Sequence, residues 1–407
     1  MSHLHIAVLD EELPFPLTSG KRIRTFNLLT QLAKTHRITY IAHRNPDDEE
    51  VRVAAKALRD RDIFPIVVEH MIPPKAGIGL YGRLLKNLIS PLPYSVASHA
   101  SKKFRTAIDR LAKEDAPDLW HCEWTPYAHS MFRRPGPWVV MAHNVESLIW
   151  ERYAENESNP LKQWFLYKQW QRFEQFEAWA YRAATRSIAV SREDADRMEK
   201  QLGAKDVAVV DNGVDTAFFK PSESSQRDPF KLLFLGSLDW RPNQDAVRLL
   251  LDAILPRVHA REPRATLAIV GRKPTDALKA ELKNRPGVEL HADVPDVRPY
   301  LHSAGMLVVP LRIGGGSRLK ILEALSAGTP VITTTIGVEG LRLRNGEHCT
   351  VADGAEMFAA AVVDAIRLPK SGEVQAAVGR SRVLAEYDWA GLATKMDVVW
   401  QEAAVTR

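Results

Sequence analysis

The chain has 407 residues, 45% of them hydrophobic and 26% charged, with a formal net charge of +5. These proportions describe a folded chain of two or three domains and exclude a disordered or low-complexity polymer. Its two cysteines, Cys122 and Cys349, form no CxxC pair, which excludes a disulfide framework or zinc site and makes the reducing cytoplasm the expected setting.

His5–Leu9 reads as a first buried strand, followed by a loop with Pro14, Pro16 and Gly20. Arg22–Lys34 then has helical periodicity, and Ile38–Ala42 is a second strand. The Ser19-Gly20-Lys21 turn at the helix start could approach a phosphate, but without a GxGxxG fingerprint a plain turn reads equally well. Asp47–Asp60 is a solvated helix and Ile63–Val68 a strand. Met71–Val96 carries an apolar stripe interrupted by Arg83 and Lys86, which suits a core-facing helix or one lying in a membrane interface. No signal pattern precedes the first strand, and no apolar run reaches transmembrane length.

Asp118–Glu123 and Trp138–Ala142 are further strands, the second ending at His143. A histidine at that place faces the ligand crevice of an open α/β sheet, or simply packs. Asn144 and Glu146 stand beside it. Seven of the ten tryptophans fall between Trp120 and Trp179, in a stretch that must bury or present much aromatic area. Trp164–Tyr181 is a long amphipathic helix, Thr185–Val190 a strand, and Ser191 a helix start. Val207–Val210 leads into an Asn212-Gly213 turn.

Pro221–Pro229 is a polar linker. Lys231–Leu235 restarts a strand before Gly236 and Arg241, where a structural turn and a ligand loop are both open, and Asp245–Leu255 is a helix. Ala265–Val270 ends at Gly271, and Val288–His291 leads to Asp293-Val294. The helix Val297–Ser303 follows, and a last amphipathic helix is expected over Leu384–Glu402.

The stretch Met306–Gly340 organises the rest. It reads as strand, glycine loop, helix and strand: Met306–Pro310, then Gly314, Gly315 and Gly316, then Ser317 as N-cap, Gly328 as terminator, and Val331–Thr335. Arg318 and Lys320 fall in the first helical turn, where the helix dipole already presents positive charge. Two cations, bare backbone and free N–H groups make a cradle for an anion such as phosphate. Glu323 lies on the same side as Lys320, placed to accept from sugar hydroxyls. The bland alternative is a turn before an ordinary helix with Lys320 and Glu323 paired in water.

Leu307–Gly340 resembles the signature region of the retaining GT-B glycosyltransferases. Their usual pattern is Glu-x7-Glu, and the second Glu matches Glu323, with Gly328-Thr329-Pro330 after it. Gly315 stands where the first Glu belongs. The run from Arg312 through Gly314, Ser317, Arg318 and Lys320 to Glu323 is similar to a bacterial subgroup associated with exopolysaccharide sugar transferases.

The resemblance implies an α/β chain with two Rossmann-like domains facing a central cleft and a final helix crossing back to the first domain. The corresponding boundaries are 1–218 for an acceptor-binding domain, 219–385 for a nucleotide-sugar-binding domain and 386–407 for the returning helix. It further implies transfer of a hexosyl unit from a nucleotide diphosphate sugar to a saccharide or lipid-linked acceptor, with retention, in exopolysaccharide or cell-surface glycan synthesis. By resemblance, His143, Arg318, Lys320 and Glu323 are the catalytic candidates. Gly20, Gly236, Arg241, Gly271, Val294, Gly314, Gly315, Gly316 and Ser317 are the donor-binding ones. Ser237 replaces the Arg that many relatives carry after this glycine, so more phosphate charge would fall to Arg318 and Lys320. The Asp60/Asp62 and Asp194/Asp196 pairs read as surface charge, so no metal and no further cofactor is expected. The mild basic excess suits an anionic ligand or contact with the inner face of the plasma membrane, but no basic tract suggests nucleic acid. A nucleotide-sugar epimerase or hydrolase of the same architecture, and a non-catalytic binder, are the alternatives.

Overall fold

Apolar strands that alternate with amphipathic helices are buried on both faces only in a parallel sheet. The computed structural model, which describes residues 2–73, 77–155, 157–222, 226–283, 285–313 and 318–406, contains two such sheets. They lie in two compact units: Met1–Asp211 with Leu392–Arg407, and Asn212–Gly391.

The first unit holds β1 (His5–Asp10), β2 (Arg37–His43), β3 (Ile63–Val68), β4 (Leu119–Cys122), β5 (Trp138–Ala142), β6 (Arg186–Ala189) and β7 (Ala208–Val209). Their order is β3-β2-β1-β4-β5-β6-β7, all parallel. The wholly buried β1 sets Ile6 opposite Ile38 on one side and Leu119 on the other. The order reverses between β1 and β4, where successive crossovers part and leave room at the carboxyl ends of the strands.

The second unit repeats the plan with β8 (Asp228–Ser237), β9 (Thr266–Arg272), β10 (Val288–Ala292), β11 (Ala304–Val309), β12 (Val331–Thr333) and β13 (Thr350–Val351). The order β10-β9-β8-β11-β12-β13 reverses between β8 and β11.

Two helices differ from expectation. The helix placed at Asp245–Leu255 begins at Arg241, widens into a π-helical turn over Leu250–Ile254, and ends at His259. Pro256 has no N–H for the preceding turn, and the wide turn absorbs the missing bond. The tail is two helices, Pro369–Glu386 and Trp389–Val405. The break exists because Tyr387 is buried and shared: its carbonyl accepts the Val214 N–H at 2.8 Å and its hydroxyl accepts the Arg342 N–H at 2.7 Å. The last helix returns to the first unit, as expected. Trp400 is fully buried there, donating from Nε1 to His121 Nδ1 at 2.9 Å, and Asp397 meets His36 at 2.9 Å.

The stripe over Met71–Val96 forms helices Ile78–Asn87 and Tyr94–His99. Arg172, from helix Pro160–Ala183, donates to the Asn87 and Leu88 carbonyls at 2.8 and 2.7 Å, where a cation satisfies a helix C-terminus. The outer face stays apolar: Leu85 is 71% and Ile89 88% exposed.

Helix Glu146–Glu155 takes its N-terminal acceptor from another element. Buried Glu177 accepts the Glu146 and Ser147 N–H groups at 2.8 and 3.0 Å, and the Tyr181 hydroxyl at 3.1 Å. Burial lifts its carboxyl to about 7, against the pull of the Ser147 and Glu146 amides. Glu177→Ala orphans those amides and should cost roughly 1.5–3 kcal/mol in urea melts. Because the folded value is raised, the stability Glu177 adds is present at low pH and lost as pH rises through about 7. The advantage of wild type over Glu177→Gln should therefore shrink between about pH 5 and pH 7.

Candidate functional site

Each reversal of strand order collects polar groups at strand ends. In the second unit, β8 and β9 end at Gly236-Ser237 and Gly271-Arg272. A β-carbon on Gly271 would lie 2.0 Å from the Gly236 carbonyl oxygen. One on Gly236 would lie 2.8 Å from Asn243 and 3.0 Å from Lys320 Nζ. Bare backbone is thus a steric requirement here.

Helix Leu319–Ser326 follows β11. Lys320 is its second residue, while Arg318 takes the flanking N-cap position with φ −88° and ψ 35°, so Arg318 is not within the first turn. The proposed loop residues Gly314, Gly315, Gly316 and Ser317 lie outside the described residues. Gly328 does terminate the helix, at φ +72°.

Lys320 Nζ donates to Asn243 Oδ1 at 2.8 Å and sits 4.7 Å over the Phe234 ring. Asn243 is fixed in turn by donating to the Ser237 carbonyl at 2.8 Å. Burial brings the Lys320 ammonium down to about 7, with Glu323 pulling it up and Arg318 pushing it further down. Burial also raises Glu323 to about 7, against Lys320 and Arg272. The pair is therefore poised near neutrality. Arg318 is directed elsewhere: its guanidinium donates to the Ile336 carbonyl at 2.9 Å and reaches Glu339 at 3.4 Å. Val294 packs against the core, its loop tied down by the Asp293 N–H on the Gly271 carbonyl at 2.9 Å. Arg241 is exposed at the first position of its helix. The structure thus groups Gly236, Gly271, Lys320 and Glu323, adds Asn243 and Phe234, and turns Arg318 toward protein acceptors.

In the first unit, β1 ends at Asp10, Glu123 follows β4 and His143 follows β5. Gly20 opens helix Gly20–Leu32, whose N-cap Ser19 accepts the Arg22 N–H at 3.2 Å. Lys21 Nζ bridges Asp10 and Glu11 at 2.5 and 2.8 Å. Buried Glu123 lies 2.8 Å from His121 Nε2 and 3.2 Å from His143 Nε2, and accepts the Thr25 hydroxyl at 2.7 Å. Burial alone would raise Glu123, but His121 and His143 hold it well below its ordinary value. Burial lowers His143, with Glu123 opposing. Sequence reading missed Asp10, Glu123 and Asn243. A carboxylate just ending an apolar strand was the available signal for the first two.

The surface reading of the aspartate pair in helix Arg192–Lys200 fits the structure: Asp196 pairs with Arg192 and Lys200, and Asp194 accepts the Ser191 hydroxyl. Among the described residues no cluster of histidine, cysteine and carboxylate groups could hold a metal ion.

Residues 19–218 match the family described as Glycosyltransferase Family 4, and residues 229–367 match Glycosyl transferases group 1. The chain belongs to the group 1 and family 4 glycosyltransferases. It is 29% identical over 240 residues to glycogen synthase of Mycobacterium tuberculosis, covering 56% of each chain. It is 29% identical over 230 residues to the phosphatidyl-myo-inositol mannosyltransferase of the same species, covering 53% of this chain and 59% of that one. The chain thus spans little more than half the length of these relatives. The crystal structure of Anabaena HepE in complex with UDP and glucose superposes with a TM-score of 0.68 at 14% identity, covering 98% of this chain and all of that one. That likeness shows the fold, which is GT-B as expected.

A lowered lysine destabilises the folded protein at low pH, and the penalty fades as pH rises from about 7 toward the ordinary lysine value. The stability of Lys320→Met relative to wild type should therefore be greatest below pH 7 and decline toward pH 10, read from urea midpoints. A flat difference across that range would contradict the buried-ammonium assignment.

Proposed function

We propose that this glycosyltransferase moves a hexosyl unit from a nucleotide diphosphate sugar to a hydroxyl of a saccharide or lipid-linked acceptor. In this reading residues 219–385 take the donor and residues 1–218 the acceptor. The carrying observation is the placement of Lys320 and Glu323 on one helix, beside Gly236 and Asn243, where the strand order of the second unit reverses. A leaving diphosphate needs positive charge that is already in place. Lys320, protonated once the diphosphate binds and before the bond breaks, supplies it from a partly dry setting, where Coulomb attraction is stronger than in water. The start of its helix adds N–H donors of the same sign. Glu323, its carboxyl raised by burial to about 7, accepts from sugar hydroxyls when ionised and can also donate when protonated. HepE holds UDP and glucose in its crystal, and the mycobacterial relative is a mannosyltransferase, which support a nucleotide-activated hexose. The motif shared with exopolysaccharide sugar transferases favours a surface glycan as product.

A free Lys320 titrating near 7 is largely neutral at pH 8. A bound diphosphate would raise it again, so binding should take up close to one proton at pH 8. Calorimetric titration with UDP or GDP, in two buffers of different ionisation enthalpy, reads that proton directly. Lys320→Ala should abolish the uptake and weaken binding at least about tenfold, the loss of one charge-assisted contact. Turnover of a labelled donor should fall further in Lys320→Ala and Glu323→Ala proteins that fold normally. Free hexose or an epimerised donor, with no acceptor glycosylated, would instead favour the hydrolase or epimerase reading.

The acceptor side favours a lipid surface. Residues 77–108 carry Arg83, Lys86, Lys102, Lys103 and Arg105 and no carboxylate. Leu85 and Ile89, with Leu161, Trp164 and Tyr167 at the start of helix Pro160–Ala183, are exposed beside them. Exposed apolar and aromatic groups among cations suit an anionic bilayer interface. None of the described helices is long and apolar enough to cross a membrane. The protein should float with vesicles containing anionic lipid but not with neutral ones, and Leu85→Glu with Ile89→Glu should abolish flotation. Equal flotation of that double variant would remove the lipid surface from the proposal.

A further inference from the structure

We propose that Glu123 is a positioning residue for His143, held by a buried chain of polar contacts that begins at Trp400 on the last helix. The inference rests on the reading that His143 meets the substrate, and adds what fixes its ring.

The chain can be followed proton by proton. An indole N–H only donates, so His121 Nδ1, 2.9 Å from Trp400 Nε1, must be the bare acceptor nitrogen. The His121 proton therefore sits on Nε2, which lies 2.8 Å from Glu123 Oε2. The other oxygen, Oε1, accepts from Thr25 at 2.7 Å and lies 3.2 Å from His143 Nε2. Both Nε2 atoms are buried and neither makes an aligned hydrogen bond in the structure, so Glu123 is the acceptor within reach of each, at 2.8 and 3.2 Å. A buried ring nitrogen needs one, and an ionised carboxylate can only accept. Each oxygen thus takes one imidazole N–H, and His143 keeps its proton on Nε2. Its Nδ1 is left as the acceptor, with no partner among the described residues.

The surrounding charges are compatible with an ionised Glu123. From helix Gly20–Leu32, Arg24 faces Glu123 and Asp211 while Lys21 faces His143, and Asp10 faces Glu123 from the end of β1. Arg24 is itself buried, donating to the Val210 carbonyl at 2.7 Å. Glu123, His121 and Trp400 are all buried. Such a dry carboxylate is costly to keep unless its acceptors are filled. The arrangement orients His143 so that Nδ1 receives a hydrogen bond from a substrate hydroxyl, and Glu123 offsets positive charge gained by the ring.

The test pairs kinetics with imidazole 15N resonances, which report the tautomer of each ring in the folded protein. Wild type should show both His121 and His143 protonated on Nε2. Glu123→Gln turns an amide NH2, a donor, toward one of the two rings, so it cannot accept from both. One ring should switch tautomer, and kcat should fall roughly tenfold or more with donor KM within about threefold, as expected for loss of an oriented acid–base group. Trp400→Phe keeps most of the ring volume and removes the N–H; it should free the His121 tautomer and lower kcat less. A wild-type His143 protonated on Nδ1, or Glu123→Gln with unchanged kcat and pH profile, would overturn the proposal. His143→Ala with undiminished turnover overturns it differently, by removing His143 from the substrate while the tautomers stand.

Discussion

A parallel sheet covered on both faces leaves polar chemistry few places to go. Strand interiors such as β1 and β11 are buried almost throughout, so charge can be held only where strands end and loops begin. The reversals between β1 and β4 and between β8 and β11 then decide which ends have room. The Asp10, Glu123 and His143 group and the Gly236, Asn243, Lys320 and Glu323 group both follow from that one constraint.

The two groups solve the burial of charge differently. In the first unit Lys21 lies between Asp10 and Glu11, and Glu123 between two histidines. In the second, Lys320 has a neutral amide and an aromatic face as its partners, and burial moves both it and Glu323 toward neutrality. A matched cluster rigidifies; an under-matched ammonium waits for an anion. The same contrast explains why Arg318, satisfied by the Ile336 carbonyl and Glu339, is better suited to shaping the loop than to meeting a phosphate.

Much of the scaffold was legible because periodicity is local. The strands Ile63–Val68 and Trp138–Ala142 have the limits their apolar runs suggest. Lys320, Glu323 and Gly236 could be singled out as candidates through spacing and the family pattern, and the structure brings them together. The break at Tyr387 was not, because it answers to Val214 and Arg342, far away in sequence. Nor was Asn243 as the partner of Lys320, 77 residues on, since an asparagine near a helix start ordinarily signals a turn. Glu123 was hidden for a related reason: its importance lies in three partners from three segments, and no spacing along the chain records them.

The central claim is that the Lys320 ammonium exchanges its amide partner for a diphosphate. A crystal structure of the protein with a nucleoside diphosphate tests it most directly. The account predicts a terminal phosphate oxygen about 3 Å from Lys320 Nζ, beside the Gly236 backbone. A diphosphate bound away from helix Leu319–Ser326, with Lys320 still donating to Asn243, would contradict it.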